Sequence, residues 1–206
     1  MKKIYISSED KTRKYLYISS LSSFLSKDKK VLIINMEGNR DLEIYFGIED
    51  YIIYDYLDYF SGICDLDQSI LELNDNLMIM PSAYKRDKYI MENEDFSKID
   101  NILEFDYIII NSNEEILKNI KETDIIADYV FKVDNGNKYF INNLSINKRI
   151  NSKIKKSLDN ENYIILGETE IDSNTKDESL NGIWKVYLGQ EKYEVQKSFF
   201  ERLLGR

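Results

Sequence analysis

Two hydrophobic rhythms alternate along the chain. Short runs that are apolar at consecutive positions occur at Ile4–Ile6, Val31–Ile34, Leu77–Met80, Tyr107–Ile110 and Tyr163–Leu166. Such runs predict strands covered on both faces, as a parallel sheet requires. Between the first two, Tyr15, Leu16, Ile18, Leu21, Phe24 and Leu25 recur at helical spacing over residues 12–27, closed by Lys27-Asp28-Lys29-Lys30. Strand, helix and strand within the first 34 residues make a βαβ unit. The pattern predicts further helices over 50–73, in one or two pieces around Gly62, and over 94–104, 116–127, 147–158 and 191–204. Pro81 ends the third strand, and Gly167 ends the strand that begins at Tyr163. Tyr129–Val133 and Tyr139–Ile141 predict strands around Asn135-Gly136, a pair that favours a hairpin or tight reversal. The alternation as a whole predicts an α/β fold, a mainly parallel sheet flanked by helices on both faces. It divides into a main domain over 1–190 and a terminal amphipathic helix over 191–206.

Composition narrows the chemistry. The 206 residues include one proline and no Pro-, Gly- or Ser-rich stretch, so no linker divides the main domain. Lys and Arg total 28 against 37 Asp and Glu, a formal charge of −9, which argues against coating nucleic acid by phosphate neutralisation. Histidine is absent, which excludes Ser-His-Asp and Cys-His catalysis and histidine metal sites. The single cysteine, Cys64, permits no intrachain disulfide and no thiolate cluster, and suits a reducing cytoplasm. The apolar start ends at Ser7, too short for a signal peptide, and no run of about 18 apolar residues occurs. The expectation is a soluble protein, or one attached to a membrane surface.

In open α/β sheets ligands sit at the carboxyl ends of the strands. The first such end reads Ser7-Ser8-Glu9-Asp10-Lys11-Thr12-Arg13-Lys14. A phosphate-cradling loop needs glycines, so that backbone amides can turn inward and approach the oxygens; none occurs before Gly38. Glu9 and Asp10 read as an ordinary polar loop with an acidic helix start, the alternative being Arg13 or Lys14 holding a phosphate. The next two ends carry Asn35 with Glu37, and Asn111. Magnesium-dependent phosphoryl transfer needs carboxylates at such places. Asparagine has the shape of aspartate without its charge and reads better as a cap of the next element.

These residues resemble a known family. Residues 29–48 (KKVLIINMEGNRDLEIYFGI), Tyr54-Asp55, residues 62–70 (GICDLDQSI), Met80-Pro81-Ser82, Lys85-Arg86-Asp87-Lys88 and residues 105–112 (FDYIIINS) are similar to the MinD branch of the MinD/ParA P-loop ATPases. The resemblance is close over 1–112. It thins afterwards, although Phe140-Ile141-Asn142-Asn143 and Ile165-Leu166-Gly167 look like the family's late strands, and the chain is shorter than typical members. It implies a P-loop-type fold. It also implies that the family's phosphate loop falls on Ser7–Lys14, with its glycines replaced by Ser7, Glu9, Asp10 and Thr12. The signature lysine becomes Ser8, the phosphate lysine Arg13 and the magnesium hydroxyl Lys14. The family's aspartates become Asn35, Glu37 and Asn111. A vestigial nucleotide site is therefore expected at Ser8, Lys11, Arg13, Lys14, Asn35, Glu37 and Asn111, with no catalytic residue, no metal and no cofactor. ATP with magnesium would enter only in a divergent but active ATPase.

The chain closes on Val195, Lys197, Phe199, Phe200, Arg202, Leu203, Leu204 and Arg206. On a helical wheel the large apolar residues cover about half the circumference, and the segment from 197 carries +2 against −11 for the rest. A basic amphipathic helix on an acidic domain predicts a membrane-surface anchor, and the resemblance agrees; the other reading is a terminal helix packed on the core. The expected role is a membrane-associated pseudo-ATPase scaffold for spatial organisation, at the cell-division site or in recruiting a partner. A pilus or flagellum localisation factor is the alternative. It is expected on the inner face of the cell membrane, bound to anionic lipid and to a protein partner around residues 50–73. A homodimer is possible, and nucleic acid is not expected. Two weaker signals stay open. Tyr51, Tyr54, Tyr56 and Tyr59 form an aromatic contact patch or a packing face. Lys148, Arg149, Lys153, Lys155 and Lys156 meet an acidic surface or simply water.

Overall fold

The computed structural model describes residues 1–85, 87–89, 92, 95–130, 136–147, 150, 152–172 and 174–193. Eight strands form one sheet: β1 (Lys2–Ser7), β2 (Val31–Asn35), β3 (Leu71–Asn74), β4 (Leu77–Met80), β5 (Tyr107–Asn111), β6 (Thr123–Ala127), β7 (Lys138–Asn143) and β8 (Tyr163–Thr169), in the order β3-β4-β2-β5-β1-β6-β7-β8. All neighbours are parallel except β3 with β4. The helices are α1 (Lys11–Leu25), α2 (Asp41–Phe46), α3 (Tyr56–Phe60), α4 (Leu66–Ser69), α5 (Glu114–Leu117), α6 (Leu144–Asn147), α7 (Ser152–Asn160) and α8 (Asn181–Tyr187), with 3-10 turns at Glu49–Tyr51, Asp95–Asn101 and Asp177–Leu180.

The two-sided apolar runs do what their pattern requires. Ile4 and Ile6 of β1, Val31 and Ile33 of β2 and Ile109 of β5 face α1 and α8 in one core. Their alternates Tyr5, Leu32, Ile34, Ile108 and Ile110 face α3, α5 and the 95–101 turn in a second core. Trp184 of α8 is the largest fully buried side chain. Its ring stands edge-on to Tyr17 at 6.5 Å. Its indole N–H donates to Ser20 Oγ at 2.7 Å, and that hydroxyl donates to the Asp177 carbonyl at 2.5 Å. Ser20→Ala is expected to cost about 1–3 kcal/mol, because it strands a buried N–H donor; chemical denaturation checks this, and Ser20→Thr, which restores the hydroxyl, should lose less.

Several expected elements are corrected. The predicted helix over 116–127 is one turn, α5, followed by β6. Short apolar runs do not distinguish helix from strand, and Asp124 sits within the strand because Lys2 (2.8 Å), the Tyr187 hydroxyl (2.9 Å) and Asn137 (3.1 Å) satisfy it. No hairpin forms at Gly136, since β7 pairs parallel with β6. Tyr129 and Val130 are irregular, and residues 131–135 lie outside the described residues. The stretch 50–73 breaks into the 49–51 turn, α3, α4 and the missed edge strand β3, and 94–104 shortens to a 3-10 turn. The basic helix begins later, at Ser152, with α6 ahead of it. Gly167 does not end β8, which runs on to Thr169; an Ile183 methylene lies 3.3 Å from where a Cβ would stand, so glycine admits α8 there. α8 itself was not read from the sequence. Residues 188–193 are not helical, and 194–206, hence the whole set from Val195 to Arg206, lies outside the described residues.

Candidate functional site

The carboxyl ends of β1, β2, β4, β5 and β6 converge on the first turns of α1. Ser8, Glu9 and Asp10 link β1 to α1 without a glycine. Asp10 caps the helix: its backbone is extended, and its Oδ1 accepts from the Arg13 amide at 2.9 Å. Such a cap satisfies an amide that the first turn leaves unpaired, and places a negative charge on the positive end of the helix dipole. The acidic helix start read from the sequence is thus realised in Asp10.

Each cation on this turn meets an acid. Lys11 reaches Asp41 at 3.1 Å, with both side chains about half exposed. Arg13 Nε lies 3.0 Å from Asp128 Oδ2, and the Asp128 side chain has no exposed surface. The same oxygen accepts from the Ser8 hydroxyl at 2.9 Å and the Tyr17 hydroxyl at 3.4 Å. Burial pushes the Asp128 carboxyl above its ordinary value, against the opposing pull of Ser8 and Arg13. Lys14 is buried; its ammonium sits 2.5 Å from Glu37 Oε1 and 3.3 Å from the Ser112 carbonyl. Burial lowers the Lys14 pKa, and Glu37 resists that shift.

Asn35 and Asn111 do not cap helices. Asn35 Oδ1 accepts from the Glu37 amide at 3.2 Å and from Asn111 Nδ2 at 2.9 Å. Asn35 Nδ2 donates to both carboxylate oxygens of Glu43, at 3.0 and 2.8 Å. The Ser82 amide donates to the same group at 2.6 Å. Cross-strand pairing of Asn35 with Asn111 across β2 and β5 sets this ladder. The cap after β5 is Asn113, whose Oδ1 accepts from the Ile116 amide at 2.9 Å. Glu43 is fully buried, and desolvation raises its pKa.

The structure therefore gathers Ser8, Arg13, Lys14, Asn35, Glu37 and Asn111 in one place and leaves Lys11 at its rim. Sequence reasoning missed Glu43 and Asp128. A signal existed for Asp128, a charge directly after the apolar run Ile125-Ile126-Ala127, once that run is read as a strand. Glu37 Oε2, Asn111 Oδ1 and Asp128 Oδ1 are buried without a hydrogen-bond partner. All three are acceptors and suit a donor better than an anion. Among the described residues, no group of three or more Asp, Glu or Cys side chains is placed to hold a metal ion.

No family model matches the chain. The septum site-determining protein MinD of Helicobacter pylori is 30% identical over 110 residues, 51% of this chain and 41% of that protein. MinD of Bacillus subtilis is 32% identical over 106 residues, 48% of this chain and 40% of the relative. The chain thus aligns with less than half the length of these curated relatives. The fold matches more widely. The MinC:MinD cell division protein complex of Aquifex aeolicus superposes with a TM-score of 0.70 at 18% identity, covering 96% of this chain and 99% of that one. A plasmid partition protein of Borrelia burgdorferi gives 0.70 at 17% identity over 93% and 100%. MinD of Pyrococcus horikoshii complexed with Mg-ADP gives 0.61 at 16% over 93% and 90%.

Proposed function

We propose that this chain, similar over about half its length to curated MinD proteins and in fold to solved MinD and plasmid partition proteins, is a MinD-like pseudo-ATPase, a membrane-associated scaffold that organises a partner in space without binding or turning over MgATP. The observation that carries this reading is the neutralisation of the first turn of α1. Asp10 occupies the Arg13 amide, Asp128 holds the Arg13 side chain, and Glu37 holds Lys14 at 2.5 Å. A nucleotide is held in this fold type by backbone amides and free cations, and MgATP does not fit the residues present. Its phosphates would have to displace carboxylates already in place, with close like-charge pairs opposing them by about 4 kcal/mol each at an effective dielectric near 20. The buried, unpartnered acceptors of Glu37, Asn111 and Asp128 suit a donor better than a phosphate.

Membrane attachment is assigned to residues 194–206, whose apolar stripe and basic residues suit an anionic surface. Half-burying four large side chains gives roughly 3–6 kcal/mol before the helix is ordered, so one copy binds reversibly and two linked copies bind much more tightly. The partner-facing side is placed at residues 50–73, where Tyr51, Ile53 and Ile63 are exposed while Tyr56 packs inward. Among the described residues no helix is long and apolar enough to cross a membrane.

Calorimetric titration of the full chain with MgATP tests the central reading. No saturable heat is expected, no shift in melting temperature, and no phosphate release above a nucleotide blank. Saturable binding, or turnover above that blank, would overturn it. Sedimentation with anionic liposomes tests the anchor: the full chain should pellet and a 1–194 truncation should not.

A further inference from the structure

We infer that the exposed basic face of α7, at the β8 end of the sheet, is a second contact with an anionic lipid surface and turns the acidic end of the molecule away from that surface; the inference rests on the membrane reading above. Charge is segregated along the sheet. Residues 41–84 build α2, α3, α4, β3 and β4 at one end, and they carry ten Asp and Glu and no Lys or Arg. β8 is the strand at the opposite end. There α7 packs through Leu158 onto Phe140 and Tyr163 and exposes Lys153, Lys155 and Lys156 to solvent. Residues 145–157 contain no acid, and Lys148 and Arg149 belong to the same stretch of sequence. Ile164 of β8 is 52% exposed and Ile146 of α6 44% exposed, so this end also offers apolar side chains.

The proposed anchor leaves from the same end. The Tyr193 ring lies 3.9 Å from where a Cβ on Gly167 of β8 would stand, so the last described residues lie against β8, the edge strand on which α7 also packs. A chain of net charge −9 is repelled by an anionic surface unless its positive end faces it. β3 and β8 are seven strand spacings apart, about 34 Å, and the Debye length is about 8 Å at physiological salt. With α7 toward the lipid, the acidic end is screened from it; with the acidic end toward the lipid, it is not. Among the described residues of α7 and the turn that follows it, the acids are Asp159 and Glu161, and Glu161 is held by Lys138 at 3.2 Å.

The test compares the full chain, its K155E/K156E variant and the 1–194 truncation of each, on vesicles of mixed phosphatidylglycerol and phosphatidylcholine and on pure phosphatidylcholine. The full-length double variant should melt like the parent and bind anionic vesicles about tenfold or more weakly, from the worth of each surface lysine near anionic lipid. On neutral vesicles the two should bind alike. Unchanged affinity for anionic vesicles would overturn the α7 contact, whatever the truncation does. A truncation that binds as well as the full chain overturns the anchor alone, and the α7 contact then stands if the double variant still weakens binding. If the substitutions instead lower the sedimentation mass of the vesicle-free protein and leave vesicle binding unchanged, α7 docks on the acidic end of a second copy and the lipid contact is overturned.

Discussion

Arg13→Ala is expected to lower the unfolding free energy by about 3–5 kcal/mol at neutral pH, the usual penalty for stranding one partner of a buried ion pair. The guanidinium is the charged partner of Asp128, whose side chain is wholly buried. Without it the carboxylate keeps only the Ser8 and Tyr17 hydroxyls. Burial already raises the Asp128 pKa, and Arg13 counts among the groups that hold it down. Removing Arg13 raises it further. A carboxyl whose folded pKa exceeds its unfolded value favours folding while protonated, and loses that advantage as pH rises through the folded pKa. The deficit of the variant should therefore be greatest at neutral and higher pH and should narrow on acidification, as the carboxyl takes up a proton. Urea unfolding at several pH values reads this directly. Arg13→Ala combined with Asp128→Asn should recover most of the loss, since the stranded charge is then gone. A deficit below about 1 kcal/mol and flat with pH would show that the pair does not tie α1 to the end of β6.

Alkaline conditions should unfold the protein cooperatively between about pH 10.5 and 12. Burial pushes the hydroxyls of Tyr5, Tyr17 and Tyr187 far above the ordinary phenol range, and the neighbouring Asp128 and Asp124 carboxylates add to the shift at Tyr17 and Tyr187 respectively. Tyr193 is pushed up to about 12, again chiefly by burial. These groups hold their protons in the folded state at pH values where the unfolded chain has released them. Stability is therefore intact below pH 10 and falls above it, by about 1.4 kcal/mol per pH unit for each such tyrosine. Three of them at pH 12 amount to roughly 8 kcal/mol, comparable with the whole stability of an ordinary domain. The phenolate absorbance of the buried hydroxyls should appear in one step together with the loss of far-ultraviolet dichroism, after the solvent-exposed tyrosines have ionised. Ionisation of all sixteen tyrosines with the fold retained would contradict this burial.

The strands were legible where both faces are buried, because packing on both sides forbids polar residues: β2, VLIIN, and β5, YIIIN, leave little room for another reading. β6 was lost because Asp124 interrupts it, and nothing local announces that Lys2 and Tyr187 will neutralise that aspartate. β3 alternates between partly buried and exposed positions, which at four residues also fits the end of a helix. The site followed the same logic. Arg13, Lys14, Asn35, Glu37 and Asn111 were found because strand ends are visible in the chain. Their partners are set by tertiary distance: Arg13 meets an acid 115 positions away, and Glu43 is buried by a six-residue helix too short for its period to show which face turns inward.

β1 occupies the middle of the sheet, between β5 and β6. It leaves the ribosome ahead of both neighbours, and about 100 residues must follow it before either exists, roughly 5–20 s at ordinary rates of synthesis. Throughout that interval Ile4, Tyr5 and Ile6 have no strand beside them. The nascent chain is thus a natural client for a chaperone, and its yield should respond to translation speed and temperature more sharply than the stability of the finished molecule would suggest.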